Sequence, residues 1–207
     1  MQSKSYLRFM KQLPFALILF RLALAPLLLY LANLGPAYYL FIVICCYLAL
    51  ISDVFDGIIA RHYNVATPSL RLWDSNVDLI FWLCACWCIW IGFAAEIEQR
   101  WSIVIPLLLL EWIPDIIYWL RFRKFGCAHN YFSKLFGIFL LLNFTFLFGW
   151  NSSILLTTTI ILGLISQIDR ILIALILPAR TCDIPSAYHA HLIKKGVPFK
   201  KYKLFHS

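Results

Sequence analysis

Six apolar runs of membrane-spanning length, joined by short polar links, leave this chain very few ways to fold. A bilayer core takes a helix of about 20 apolar residues. Inside it every backbone N–H and C=O must be paired within the segment, which a helix achieves and an open strand does not. The runs fall at Leu13–Leu34, Ala37–Arg61, Arg71–Ala94, Ser102–Leu120, Tyr131–Phe148 and Ser153–Leu177. Hydrophobic residues make up 62% of the chain and charged residues 14%, with a mean hydropathy of +0.81. Soluble domains are about 45–50% apolar, so the chain reads as an all-α polytopic membrane protein with six transmembrane helices. One helical domain, 13–177, uses up most of the 207 residues. Before it, residues 1–12 mix Lys4, Arg8 and Lys11 with apolar positions at helical spacing, the pattern of an interfacial amphipathic arm. After it, 178–207 forms a basic tail.

The net charge of +8 reports topology. Of 18 Lys and Arg, fifteen lie in the arm, the 61–71 link, the 121–134 segment and the tail, all on one side if six spans are threaded in order. The opposite links hold only Arg100. The positive-inside rule therefore puts both termini in the cytoplasm. No basic-aromatic module lies outside the apolar runs, which argues against a nucleic-acid partner. The seven cysteines have no CxxC spacing, and five sit inside apolar runs as reduced packing residues. The first run is long and lacks a small-residue cleavage site, so no cleaved leader is expected. The thin loops and short tail suggest a bacterial inner membrane.

Against this background Ser52-Asp53-Val54-Phe55-Asp56-Gly57-Ile58-Ile59-Ala60-Arg61 is anomalous, as is Trp73-Asp74-Ser75-Asn76-Val77-Asp78 after it. Ionised carboxylates in a membrane are costly and persist when paired or put to chemical use. Asp53 and Asp56 stand at i, i+3, and Asp74 and Asp78 at i, i+4, so each pair shares a helix face. Two such faces make an all-oxygen donor set suited to Mg²⁺ or Mn²⁺. Gly57 and Ala60 allow close approach of a ligand or a neighbouring helix, and Arg61, one turn beyond Gly57, has the fork that binds phosphate. Two ions would clamp the attacking and leaving oxygens of a displacement at phosphorus, with one carboxylate free to take a proton. A purely structural alternative pairs the acids with Arg61 and Arg71, but two arginines do not neutralise four acids. A cation-transport site is a further alternative, although transporter sites lie near the midplane and these acids gather at span ends. Arg21, inside the first run, has two readings: snorkelling to the interface, or a cation aimed at a phosphate.

The pattern Asp53-x₂-Asp56-Gly57-x₂-Ala60-Arg61-x₈-Leu70-x₃-Asp74-x₃-Asp78 resembles the signature of the CDP-alcohol phosphatidyltransferases, departing from it only at Leu70, where that family has glycine. Six spans, an amphipathic N-terminal segment, and Arg21 with Pro26 in the first span extend the likeness. The resemblance implies an enzyme that transfers a substituted phosphoryl group from a CDP-alcohol, CDP-diacylglycerol foremost, to an alcohol with release of CMP. It implies two divalent ions (Mg²⁺ or Mn²⁺) on Asp53, Asp56, Asp74 and Asp78, with Asp78 also the general base. Gly57, Arg61, Thr67 and Arg21 would face the donor, and Leu70 alters the donor pocket more than the metal set. It further implies membrane lipid as a partner and a homodimer, while the positive-inside threading places the acid cluster, and so the active site, at the cytoplasmic face. The alternatives are a transferase that takes a soluble CDP-amino-alcohol to a lipid acceptor, a cation transporter, and a family member that binds nucleotide without turnover.

The acceptor half is less defined. Lys134, with Arg121, Arg123 and Lys124, suits either a phosphorylated acceptor or, more simply, the positive-inside pattern. Glu111 and Asp115 share a face at i, i+4, to hold an amine or polyol, or to pair with Arg170. His129, His189 and His191 are expected in loops or at the interface.

Overall fold

The computed structural model describes residues 4–63, 65, 67–124, 130–179, 181 and 184–197. All regular structure among them is helical: α1 (Lys4–Leu34), α2 (Tyr39–His62), α3 (Pro68–Glu98), α4 (Trp101–Phe122), α5 (Tyr131–Phe144), α6 (Leu156–Ile176) and α7 (Ala187–Lys194). Six stretches are long and apolar enough to cross a membrane: Gln12–Leu34, Pro36–His62, Trp73–Glu98, Trp101–Phe122, Tyr131–Gly149 and Leu156–Ile176. Exposed Leu40, Leu83, Leu109 and Leu172 on four of these helices suit lipid as solvent. The chain packs as two compact units, one of Met1–Ala95 with Leu147–Asn151 and the other of Glu96–Phe146 with Ser152–Ser207.

In the first unit α1 and α2 pack closely along a seam of Ile18, Ala25, Leu28, Ile42, Cys46 and Ala49, all buried. The link between them turns at Gly35, whose φ of 96° is the left-handed region that glycine enters without strain. Helix α3 meets its neighbours through long side chains, such as Phe15 against Trp73 (ring centroids 6.2 Å apart) and Tyr39 against Phe93 (5.6 Å). Its axis breaks at Phe93, where φ is −139° and ψ 38°. At Gly92 an added Cβ would sit 2.7 Å from the Tyr39 hydroxyl, so only glycine lets that ring lie against the helix.

In the second unit α4 and α5 both pack on α6. Gly163 is the point of closest approach: a Cβ there would be 2.9 Å from both Leu107 of α4 and Phe136 of α5. Helix α5 ends at Phe144, and the Thr145 hydroxyl after it donates to the Leu141 carbonyl (2.9 Å). Ile184, just before α7, and Ala190 of α7 are buried in one cluster with Tyr118, Ile173 and Leu177.

The helices differ from the sequence expectation at three places. From Lys4 the segment expected as an arm is helical and continues into the first span without a break, as Lys4–Leu34. No glycine or polar turn separates arm from span, and extending an existing helix is easier than nucleating a second. Helix α3 starts at Pro68, three residues before the expected Arg71, because the Thr67 hydroxyl accepts the Leu70 N–H (3.2 Å) and Pro68 occupies the first helical position. The segment after Leu177 is also more than a tail, since α7 is packed into the unit. Residues 198–207 lie outside the described residues, as do Cys127, His129 and Cys182. Of the other five cysteines, Cys45, Cys46 and Cys88 are buried.

Candidate active site

The i, i+3 and i, i+4 spacings do what helical geometry requires: Asp53 and Asp56 leave one side of α2, Asp74 and Asp78 one side of α3, and the two pairs face each other within the first unit. One oxygen each from Asp53, Asp56 and Asp74 can be chosen so that all three lie within 4.8 Å of one another. Asp78 is outside that triad and joins the cluster through Arg21. The side chain of Asp56 is 5% exposed, whereas those of Asp53, Asp74 and Asp78 are 40%, 34% and 35% exposed, so the cluster is buried on one side and open on the other.

Arg21 of α1 is the centre of this arrangement. Its Nη1 lies 3.1 Å from Asp53 Oδ1 and 3.0 Å from Asp74 Oδ1 and also pairs with Asp78, while Nη2 pairs with Asp56 and Nε donates to Ser52 Oγ (3.4 Å). The residue is 1% exposed, so it does not snorkel. Four carboxylates hold a guanidinium more strongly than a distant interface does. Where the structural alternative pairs the acids with Arg61 and Arg71, the cation seen among them in the described residues is Arg21. Arg61 is exposed, and the side chain of Arg71 lies outside the described residues. Sequence reading did not connect Arg21 to the acids because Asp56, Asp74 and Asp78 are 35 to 57 positions away. Ser52 was not singled out either; its hydroxyl, which also donates to the Ala49 carbonyl (2.8 Å), had no signal beyond its place beside Asp53.

The donor set suits a divalent ion. Four formal negative charges face one positive charge, the donors are all oxygen, and three of them converge. Gly57 lies one turn along α2, and a Cβ there would meet only the Arg61 guanidinium nitrogens, at 3.8 and 3.9 Å. Intramolecular packing therefore does not demand glycine at that position. Thr67 is exposed and caps α3, and Leu70, half-buried, sits in the first turn of that helix with its N–H taken by the cap.

The second unit carries its own polar side chains. Arg170 reaches Glu111 (3.1 Å), Asp115 (3.3 Å) and Gln167 (2.8 Å), and Gln167 also donates to Glu111. The Asp115–Arg170 pair is thus formed, and Gln167 enters the network without a prior signal. Asp169 accepts from Asn130 Nδ2 (2.7 Å) and the Ala187 N–H (2.9 Å), tying α5 and α7 to α6. Arg121 donates to the carbonyls of Ala174, Leu175 (2.7 Å) and Leu177 (3.0 Å), capping the end of α6. Arg123 stacks on Trp119 with its guanidinium 5.1 Å from the ring centroid, and Lys124 and Lys134 are exposed. His189 meets the Ser186 hydroxyl (2.9 Å), and His191 is exposed on α7.

Six stretches able to span a bilayer, with an aspartate cluster from α2 and α3 gathered around an arginine from α1, define a polytopic membrane protein with a carboxylate cluster among its spans. The sequence model of the CDP-alcohol phosphatidyltransferase family matches residues 11–177, and the chain belongs to that family. No match is found among curated proteins or among solved structures. Membership makes the protein a transferase of phospholipid synthesis that moves a substituted phosphoryl group from a CDP-alcohol to an alcohol.

Proposed function

We propose that the donor is CDP-diacylglycerol and that the product is a phospholipid made from a small or phosphorylated alcohol at the cytoplasmic face of a bacterial inner membrane. The observation that carries the reading is the convergence of Asp53, Asp56 and Asp74 oxygens within 4.8 Å in a chain of this family. Those three residues would hold two Mg²⁺ or Mn²⁺ ions, with Asp78 alongside. Bound there, the metals neutralise charge on the diphosphate and polarise the phosphorus.

Asp78 takes the proton from the acceptor hydroxyl as its oxygen attacks the β-phosphorus of the donor. The phosphoanhydride bond then breaks and CMP leaves with the bond's electrons. Standing outside the converging triad, Asp78 is the carboxylate best suited to accept a proton. Arg61 offers its fork to the diphosphate, the open flank at Gly57 admits the nucleotide, and Thr67 and Arg21 complete the donor contacts. The catalytic domain is 13–177, and the protein is proposed to work as a homodimer. Purified protein supplied with CDP-diacylglycerol, Mg²⁺ and a panel of alcohols, amino alcohols and sugar phosphates should release CMP with at least one acceptor. Silence across the panel would refute the reading.

A further inference from the structure

We infer that Arg21 is an exchangeable counter-cation of the aspartate cluster, competing with the divalent ions for the same carboxylates; the inference rests on the metal-site reading above. The guanidinium contacts all four aspartates at once, through oxygens that include Asp53 Oδ1 and Asp74 Oδ1 at 3.1 and 3.0 Å. A divalent ion held by Asp53, Asp56 and Asp74, whose ligand oxygens all lie within 4.8 Å of one another, falls within a few ångströms of that guanidinium. Like charges at such range repel strongly in a half-buried site. The two occupants therefore exclude each other, and filling the triad moves the guanidinium off it.

Room to withdraw is present. A cavity of about 30 Å³ flanks the guanidinium on the side away from Asp56 and Asp74; it is lined by Ala49, Leu50, Phe81 and Trp82 together with Asp53 and Asp78. Arg21 thus does two jobs in turn: it holds α1, α2 and α3 in register around the acids, and it sets the threshold at which metal enters. A merely structural ion pair would act differently, since its loss would loosen the carboxylates and weaken metal binding.

The test is Mn²⁺ titration of detergent-purified wild type and Arg21→Gln, with free Mn²⁺ read by electron paramagnetic resonance. Arg21→Gln should bind Mn²⁺ about tenfold tighter or more, from the removal of a like charge at contact range. Its melting temperature without divalent metal should fall below wild type, and the gap should close as Mn²⁺ is added. Equal or weaker Mn²⁺ binding by Arg21→Gln overturns the inference while leaving the metal site intact. Failure of both proteins to bind Mn²⁺ overturns the metal reading itself. Should Arg21→Gln not fold, Arg21→Lys takes its place; a lysine does not bridge four carboxylates, and it too must bind Mn²⁺ tighter than wild type or the inference fails.

Discussion

Replacing Gly57 by alanine separates a fold requirement from a ligand requirement. Within α2 a glycine costs about 0.8–1.0 kcal/mol relative to alanine. The new methyl meets nothing of the protein within 4 Å except the Arg61 guanidinium nitrogens at 3.8 and 3.9 Å, which is ordinary contact. Gly57→Ala should therefore be more stable than wild type by up to about 1 kcal/mol, a rise in melting temperature of roughly 2–4 °C for a chain of this size. The same methyl would stand in the space assigned to the donor. Crowding a fitted group in this way costs about 1–3 kcal/mol, equivalent to about a 5- to 150-fold weaker donor affinity. Thermal unfolding in detergent and the donor dependence of CMP release read the two effects separately. A variant of raised stability and unchanged donor affinity would refute the placement of the nucleotide beside Gly57.

Asp78→Asn should lower CMP release by at least about 100-fold, the usual scale of a general base, while donor binding changes little; lost binding with intact chemistry would contradict the assigned role. Chelation of divalent ions should abolish CMP release, and Mg²⁺ or Mn²⁺ should restore it, so turnover in excess chelator would speak against a metal-dependent site. Asp169→Ala removes the acceptor of two hydrogen bonds, from Asn130 and the Ala187 N–H, although Asn130 Nδ2 keeps its bond to the Ser166 carbonyl (3.3 Å). At about 1.5–3 kcal/mol for each bond to a charged group, the cost is roughly 3–6 kcal/mol. It should appear as a lower melting temperature and faster proteolysis around α7, and wild-type behaviour in both would show that α7 is held by apolar packing alone.

Helices, spans and the aspartate faces were legible from sequence because each depends on local spacing. Twenty apolar residues make a span, and carboxylates three or four apart share a face wherever the helix goes. The starting point of α3 is legible in principle, since Thr67-Pro68 is a capping pair, although the apolar run itself begins only at Arg71. The partner of the acids was not legible. Arg21 is an isolated cation in an apolar run, and nothing in its neighbours says that carboxylates on two later helices, Asp53 the first of them, are brought to it. The same holds for α7, whose eight residues show no strong pattern and whose position depends on an aspartate in α6. Sequence alone determined that the chain is helical, suited to a membrane, and equipped with the family's acids, because these follow from residue periodicity and composition. Only the tertiary structure decided that Arg21 sits among those acids, because long-range charge pairing depends on how helices meet, and no local pattern encodes it.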